Sequence, residues 1–278
     1  MTIITDTTPN AETSTVIHTE VLVKTLRDGR RGLTGWALGI TAAATIYAGF
    51  YPQMAKNGAA QAQNLPEGLR EALRMDDITS APGYLGSTVF GLIVPLAAMF
   101  FGAAVGARVT AADEETGTLD LLLAHPLTRT SLILQRFAAL VLAAVGISAL
   151  IWLAMLAIRS GADLTTITPT RFAAQCANLA LLMIVFGALA TGIGAATGHR
   201  GATFALTAAV GVAGYAIHSF ATQLGIDAAA NLSPFHYYID GEPLRHGFQW
   251  TDMAALALTA TVLVAAGTYR FNNRDLRN

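Results

Sequence analysis

Charged residues fall in bands along this chain, and between the bands lie six windows without Asp, Glu, Lys or Arg: 32–55, 78–107, 137–158, 172–198, 201–226 and 253–269. A helix rises about 1.5 Å per residue, so a hydrocarbon layer of about 30 Å takes roughly 20 apolar residues to cross. A charge at mid-bilayer costs a few kcal/mol, about 2.5–3.5 on insertion scales, so the bands mark where spans must end. The pattern predicts an all-α integral membrane protein with six transmembrane helices, at about 33–54, 86–108, 135–158, 172–197, 202–224 and 252–270. The sixth window, MAALALTATVLVAAGTY, is short, but Trp250 at one end and Tyr269 with Arg270 at the other can sit at the two interfaces. Only His199 and Arg200 separate the fourth and fifth windows, and Gly198 and Gly201 suit a tight turn there.

Composition agrees. Charged residues make up 13% of the 278, about half the roughly 25% of soluble domains, while AVILMFWYC residues reach 53% and the mean hydropathy is +0.49. The net charge of −1 gives no reason to expect a nucleic-acid partner. Cys176 is the lone cysteine, so it forms no intrachain disulfide and reads as a small packing residue. Arginine dominates the basic residues, with Lys24 and Lys56 the only lysines, and Ala and Gly are abundant, a composition expected of a GC-rich genome. The first 20 residues lack a basic region followed by an apolar one, which predicts no cleaved signal peptide.

Six spans put both termini on one side, and positive charge selects which. With both termini cytoplasmic, the inner face carries Lys24, Arg27, Arg30, Arg31, Arg108, Arg129, Arg136, Arg200, Arg270, Arg274 and Arg277. The outer face carries Lys56, Arg70, Arg74, Arg159, Arg171 and Arg245, so the expected topology is N-in and C-in in a cell membrane. Residues 14–31 group Val16, Leu22, Val23 and Leu26 beside Lys24 and Arg27, which fits an interfacial helix, or a solvated tail with a basic stop. Outside, LPEGLREALRMDD predicts a short surface helix. The aromatic NLSPFHYYIDGEPLRHGFQW, broken by Pro and Gly, suits a loop that dips into the interface or caps a pathway.

Several chemistries are excluded. Neither lysine stands in a GxxxxGK[ST] loop, so the chain has no motif for hydrolysing nucleotides and is not expected to be an enzyme by itself. The six histidines form no HExxH and meet no paired cysteines, so no metal site is expected; His236 and Asp240 are one helical turn apart but lie in a Pro/Gly-rich loop, and no role is assigned to them. The polar candidates that stand out inside the spans are Gln175 and Asn178, one turn apart on the fourth, and His218, the only ionisable one, near the outer end of the fifth. All three fit either hydrogen bonding between helices or a substrate pathway. None of the six windows holds the carboxylate or lysine that ion-coupled carriers use.

The inner segment DEETGTLDLLLAHPLTR, within residues 113–129, stands apart. Asp113, Glu114 and Glu115 would favour a helix N-terminus, Leu119, Leu122 and Leu123 share one helical face, and Pro126 stops the run. The predicted short helix covers about 113–125, and Thr128 or Thr130 can cap the next one. Each leucine left in water would forfeit roughly 1.5–3 kcal/mol. The face must therefore be covered, by the protein's own membrane region and the lipid interface, or by a separate cytoplasmic subunit.

The pattern formed by Glu115, Gly117, Thr118, Leu119, Leu121, Leu122, Leu123, Pro126 and Arg129 resembles the cytoplasmic loop of ABC-2 type permeases, the membrane subunits of ATP-driven exporters. The span count, SPFHYY before the sixth span and the closing FNNRDL are also similar to that family. The resemblance implies that the short helix between spans two and three is a coupling helix seated in an ABC ATPase subunit. Leu119, Leu122 and Leu123 would dock, Gly117 would allow close approach, and Glu115 and Arg129 would make flanking polar contacts. It further implies a second permease chain, identical or paralogous, across the pathway, with ATP and Mg used by the partner ATPase. Two other functions fit the spans alone: an ion-coupled secondary transporter, and a membrane anchor recruiting a cytoplasmic partner.

Overall fold

The computed structural model describes residues 20–63, 66–72, 74, 77–116 and 128–273. Among them every regular element is helical. Six helical stretches are long and apolar enough to cross a membrane: Val21–Asn57, Ala81–Thr110, Thr130–Ile158, Pro169–Thr197, Arg200–Ala221 and Trp250–Asn272. The chain is an all-α integral membrane protein.

Span one is α1, Glu20–Gly49, followed across a turn at Phe50 by α2, Tyr51–Gln63. The predicted separation between an interfacial helix at 14–31 and a span from 33 is not found from Glu20 onward. Lys24, Arg27, Arg30 and Arg31 are good helix formers, so polarity changes along α1 without breaking it. Residues 14–19 lie outside the described residues. A short α3, Glu67–Ala72, sits in the loop after α2.

Span two combines α4 (Ala81–Tyr84), a π-helical stretch (Leu85–Ile93) and α5 (Val94–Thr116) into one uninterrupted rod. Pro95 has no N–H to give the carbonyl of Gly91 four residues earlier. The hydroxyl of Tyr215, from span five, donates to that carbonyl at 3.0 Å. At its other end α5 continues to Thr116, so Asp113, Glu114 and Glu115 occupy its last turns rather than opening a new helix. Ala111 and Ala112 propagate the helix, and the first breaker is Gly117.

Spans three and four are α6, Arg129–Ile158, and α7, Pro169–Thr197. Thr128 caps α6 by accepting from the Ser131 N–H, and Thr168 followed by Pro169 caps α7 in the same way. Span five is α8, Arg200–Leu224, reached through Gly198 in the left-handed conformation at φ 68°, whose N–H closes on the Gly194 carbonyl. Three short helices follow, α9 (Asp227–Ala230), α10 (Pro234–Ile239) and α11 (Pro243–His246), and α12, Trp250–Asn272, is span six.

Spans two and four form the centre, with 61% and 67% of their most apolar windows buried, against 17% for spans one and five. Their backbones touch because glycine lets them. A Cβ at Gly102 would fall 2.6 Å from the Met183 carbonyl oxygen and 2.8 Å from Phe186 Cβ. Gly106, one turn on, lies as tightly against Gly187 and Ala190, so α5 and α7 pack through the small-xxx-small pattern of membrane helices. Gly267 on α12 similarly meets Gly192 of α7, 2.9 Å from its Cα. One end of the bundle gathers Arg108 beside Gly32, Arg136 donating to the Val109 carbonyl, and Asn272 donating to Thr130. The opposite end, here the far end, carries the loops after spans one, three and five.

Candidate functional site

The far end is closed by a folded polar crown. Ser233 and Pro234 start α10 as cap and first helical residue, and the Ser233 hydroxyl also donates to the Gly214 carbonyl of span five. The helix then turns one face inward. Phe235 and Tyr238 are fully buried, Phe235 packing against Phe186 of span four and Tyr215 of span five. The aromatic segment that could cap a pathway thus belongs partly to the core.

The other face of α10 presents His236 and, one turn later, Asp240. Asp240 accepts from His236 Nδ1 at 2.6 Å and from Arg74 at 2.5 Å, and lies 3.5 Å from Nε2 of His218 on span five. Arg74 also approaches Glu242 at 3.8 Å, Glu242 approaches Arg245 at 3.5 Å, and Arg245 pairs with Asp77. Asp77 in turn accepts from Ser80, the residue that caps α4. A chain of charge therefore crosses from span five to the start of span two. Arg74 and Glu242 both hold positive φ, 53° and 44°, a backbone cost accepted where these two side chains meet.

Two cavities of about 330 Å³ open at this crown. One is lined by Asp77, Ser87, Phe90, Gln175 and Arg245, and the other by Glu71, Arg74, His218, His236 and Asp240. Beside the first, the Tyr238 hydroxyl is fully buried; Gln175 approaches it without meeting hydrogen-bond geometry. Burial pushes this phenol well above its usual value, partly offset by Gln175, so it stays neutral.

The profile of a family described as ABC-2 family transporter protein matches residues 19–276. The chain belongs to the ABC-2 transporter family. It is thus a permease of an ABC transporter, a multi-pass protein of the cell membrane, from a family whose members work with an ABC ATPase subunit. No curated protein shows significant similarity to the chain.

In this permease the residues singled out by sequence separate into distinct places. Gln175 and Asn178 are both buried on span four, but only Gln175 lines the first cavity; the Asn178 carbonyl oxygen has no partner. His218 lies at the second cavity. Glu115 is on the last turn of α5 and Arg129 is the first residue of α6, while Gly117, Thr118, Leu119, Leu122, Leu123 and Pro126 lie outside the described residues. Arg74, Asp77, Asp240 and Arg245 carry the crown; sequence reading gave Arg74, Asp77 and Arg245 no part in a site and set Asp240 aside with His236 because of the Pro/Gly-rich loop around them. The available signal was local: Ser233-Pro234 starts a helix, which aligns His236 with Asp240 at i, i+4.

Proposed function

We propose that the chain is the permease subunit of an ATP-driven exporter, pairing with a second permease chain and with separate ATPase subunits that bind ATP and Mg. The coupling element follows the last turns of α5 within the segment at about 113–125, with Leu119, Leu122 and Leu123 docking on the ATPase, Gly117 allowing close approach, and Glu115, Thr118, Pro126 and Arg129 framing it. The observation that carries this reading is the rod of span two. From Ala81 beside the crown to Thr116 beside the coupling segment it is helical throughout, about 50 Å at 1.5 Å per residue. A push at Glu115 therefore reaches Asp77, Ser80 and the Gln175 cavity through one stiff element. Cargo leaves at the far end, past Gln175 and beneath the crown, and the N- and C-termini face the ATPase. Exposed apolar side chains on α1 and α8, such as Leu38, Ile46, Leu206 and Val210, are available to lipid and to the second permease.

The test is Leu122→Asp in the full complex. The variant is expected to reach the membrane, to release the ATPase on purification and to lose ATP-dependent flux in proteoliposomes. Undiminished co-purification with undiminished flux refutes the docking role.

A further inference from the structure

We propose that His218, His236 and Asp240 form an exchangeable binding site for a borderline transition metal of the zinc type, which fastens span five to α10. The ligand atoms of the three side chains all lie within 4.8 Å of one another. Two imidazoles and one carboxylate are a donor set zinc takes, with the fourth tetrahedral position left for water or a passing ligand. Metal–ligand bonds of about 2.0–2.1 Å place tetrahedral ligands about 3.3 Å apart. His218 Nε2 lies 3.5 Å from Asp240 Oδ1 and His236 Nδ1 lies 2.6 Å from the other carboxylate oxygen, Oδ2, so each ring already faces the carboxylate and the closer pair must open by less than about 1 Å.

His218 presents one nitrogen to the cluster. Its side chain is only 8% accessible, and Nε2 is the nitrogen that faces Asp240, while Nδ1 is buried without a hydrogen-bond partner and takes no part in the site. Asp240 is 37% accessible and His236 31%, both on the wall of the second cavity, which gives an ion its way in.

Arg74 explains why the site exchanges. In the metal-free arrangement its guanidinium neutralises Asp240, and it is a competitor for the carboxylate that an ion would need. Its side chain is 38% accessible and Glu242 already lies 3.8 Å away, so it has an alternative anion to turn to when metal arrives. His236 gives up its Nδ1 proton on binding, as metal-ligating imidazoles do.

The experiment uses the full-length chain, freed of metal by a chelator and titrated with Zn²⁺ by calorimetry, with Co²⁺ absorption reporting tetrahedral geometry. One saturable ion per chain is expected. His218→Ala, His236→Ala and Asp240→Asn should each weaken binding by at least about tenfold, since even second-layer changes around metals cost about 10–100-fold. Arg74→Gln should tighten it several-fold, a gain that a misfolded variant cannot give. His199→Ala, at the opposite end of the bundle, should leave it unchanged. Absence of saturable binding overturns the proposal. So does an affinity that survives both histidine substitutions, or a weakening in Arg74→Gln.

Discussion

Replacing Gly102 by alanine adds one methyl where the structure has no room. The new Cβ would lie 2.6 Å from the Met183 carbonyl oxygen, 2.8 Å from Phe186 Cβ and 2.9 Å from the Gly187 nitrogen, so two of its three neighbours are backbone atoms that no rotamer change can remove. Ordinary contact begins near 3.4 Å, and spans two and four must therefore part by close to 1 Å. Overpacking of this kind costs about 1–3 kcal/mol, and the better helix propensity of alanine returns about 1 kcal/mol. A net loss of about 0–2 kcal/mol is expected, and about 1–3 kcal/mol against an alanine placed where there is room. Gly146 on span three is the control, because nothing lies within 4 Å of its Cβ position, and Gly146→Ala should be neutral or slightly stabilising. Reversible unfolding in mixed micelles with increasing sodium dodecyl sulfate, followed by tryptophan fluorescence, measures both. If Gly102→Ala unfolds at the same detergent fraction as Gly146→Ala, the close approach of these two helices is not what holds the centre together.

Three further outcomes are expected. Gly198→Ala should cost about 1 kcal/mol in the same titration, because an L residue pays for the left-handed φ of 68° at the end of span four; Gly201→Ala, with open space around it, should not. Tyr215→Phe should cost about 1 kcal/mol and speed hydrogen exchange around residues 91–95, since the Gly91 carbonyl loses the donor that replaces Pro95. Arg245→Ala should change stability by no more than about 1 kcal/mol, its pair with Asp77 being partly solvated, while slowing flux if the crown must move as a unit with span two.

The spans were legible because the bilayer reads charge, and the charge-free windows report it directly. Helix continuity was less legible. Four basic residues between Lys24 and Arg31 looked like a boundary, yet α1 runs through them because cations do not terminate helices. The acids from Asp113 to Glu115 looked like a helix start for their affinity to N-terminal amides, but the alanines before them keep α5 going to Thr116. At the crown, local capping signals at Ser80, Thr168 and Ser233 are readable as written. The meeting of Arg74 with Asp240 is not, because 166 residues separate them and only the folding of the bundle brings the two loops together.

The π-helical stretch from Leu85 to Ile93 fixes angular register between the two halves of span two. Each residue of an α-helix turns the chain by about 100°. Rewinding this stretch as an ordinary helix without changing its length would add rotation, and the whole segment before it would swing relative to Gly102 and Gly106. Tyr84 would then leave the Tyr47 carbonyl it reaches at 2.7 Å, and Ser80 would carry Asp77 away from Arg245. Winding and length are therefore tied here: the nine residues from Leu85 to Ile93 hold this register only as a π stretch, and an ordinary helix keeping the two ends of the molecule in the same register would be about one residue shorter.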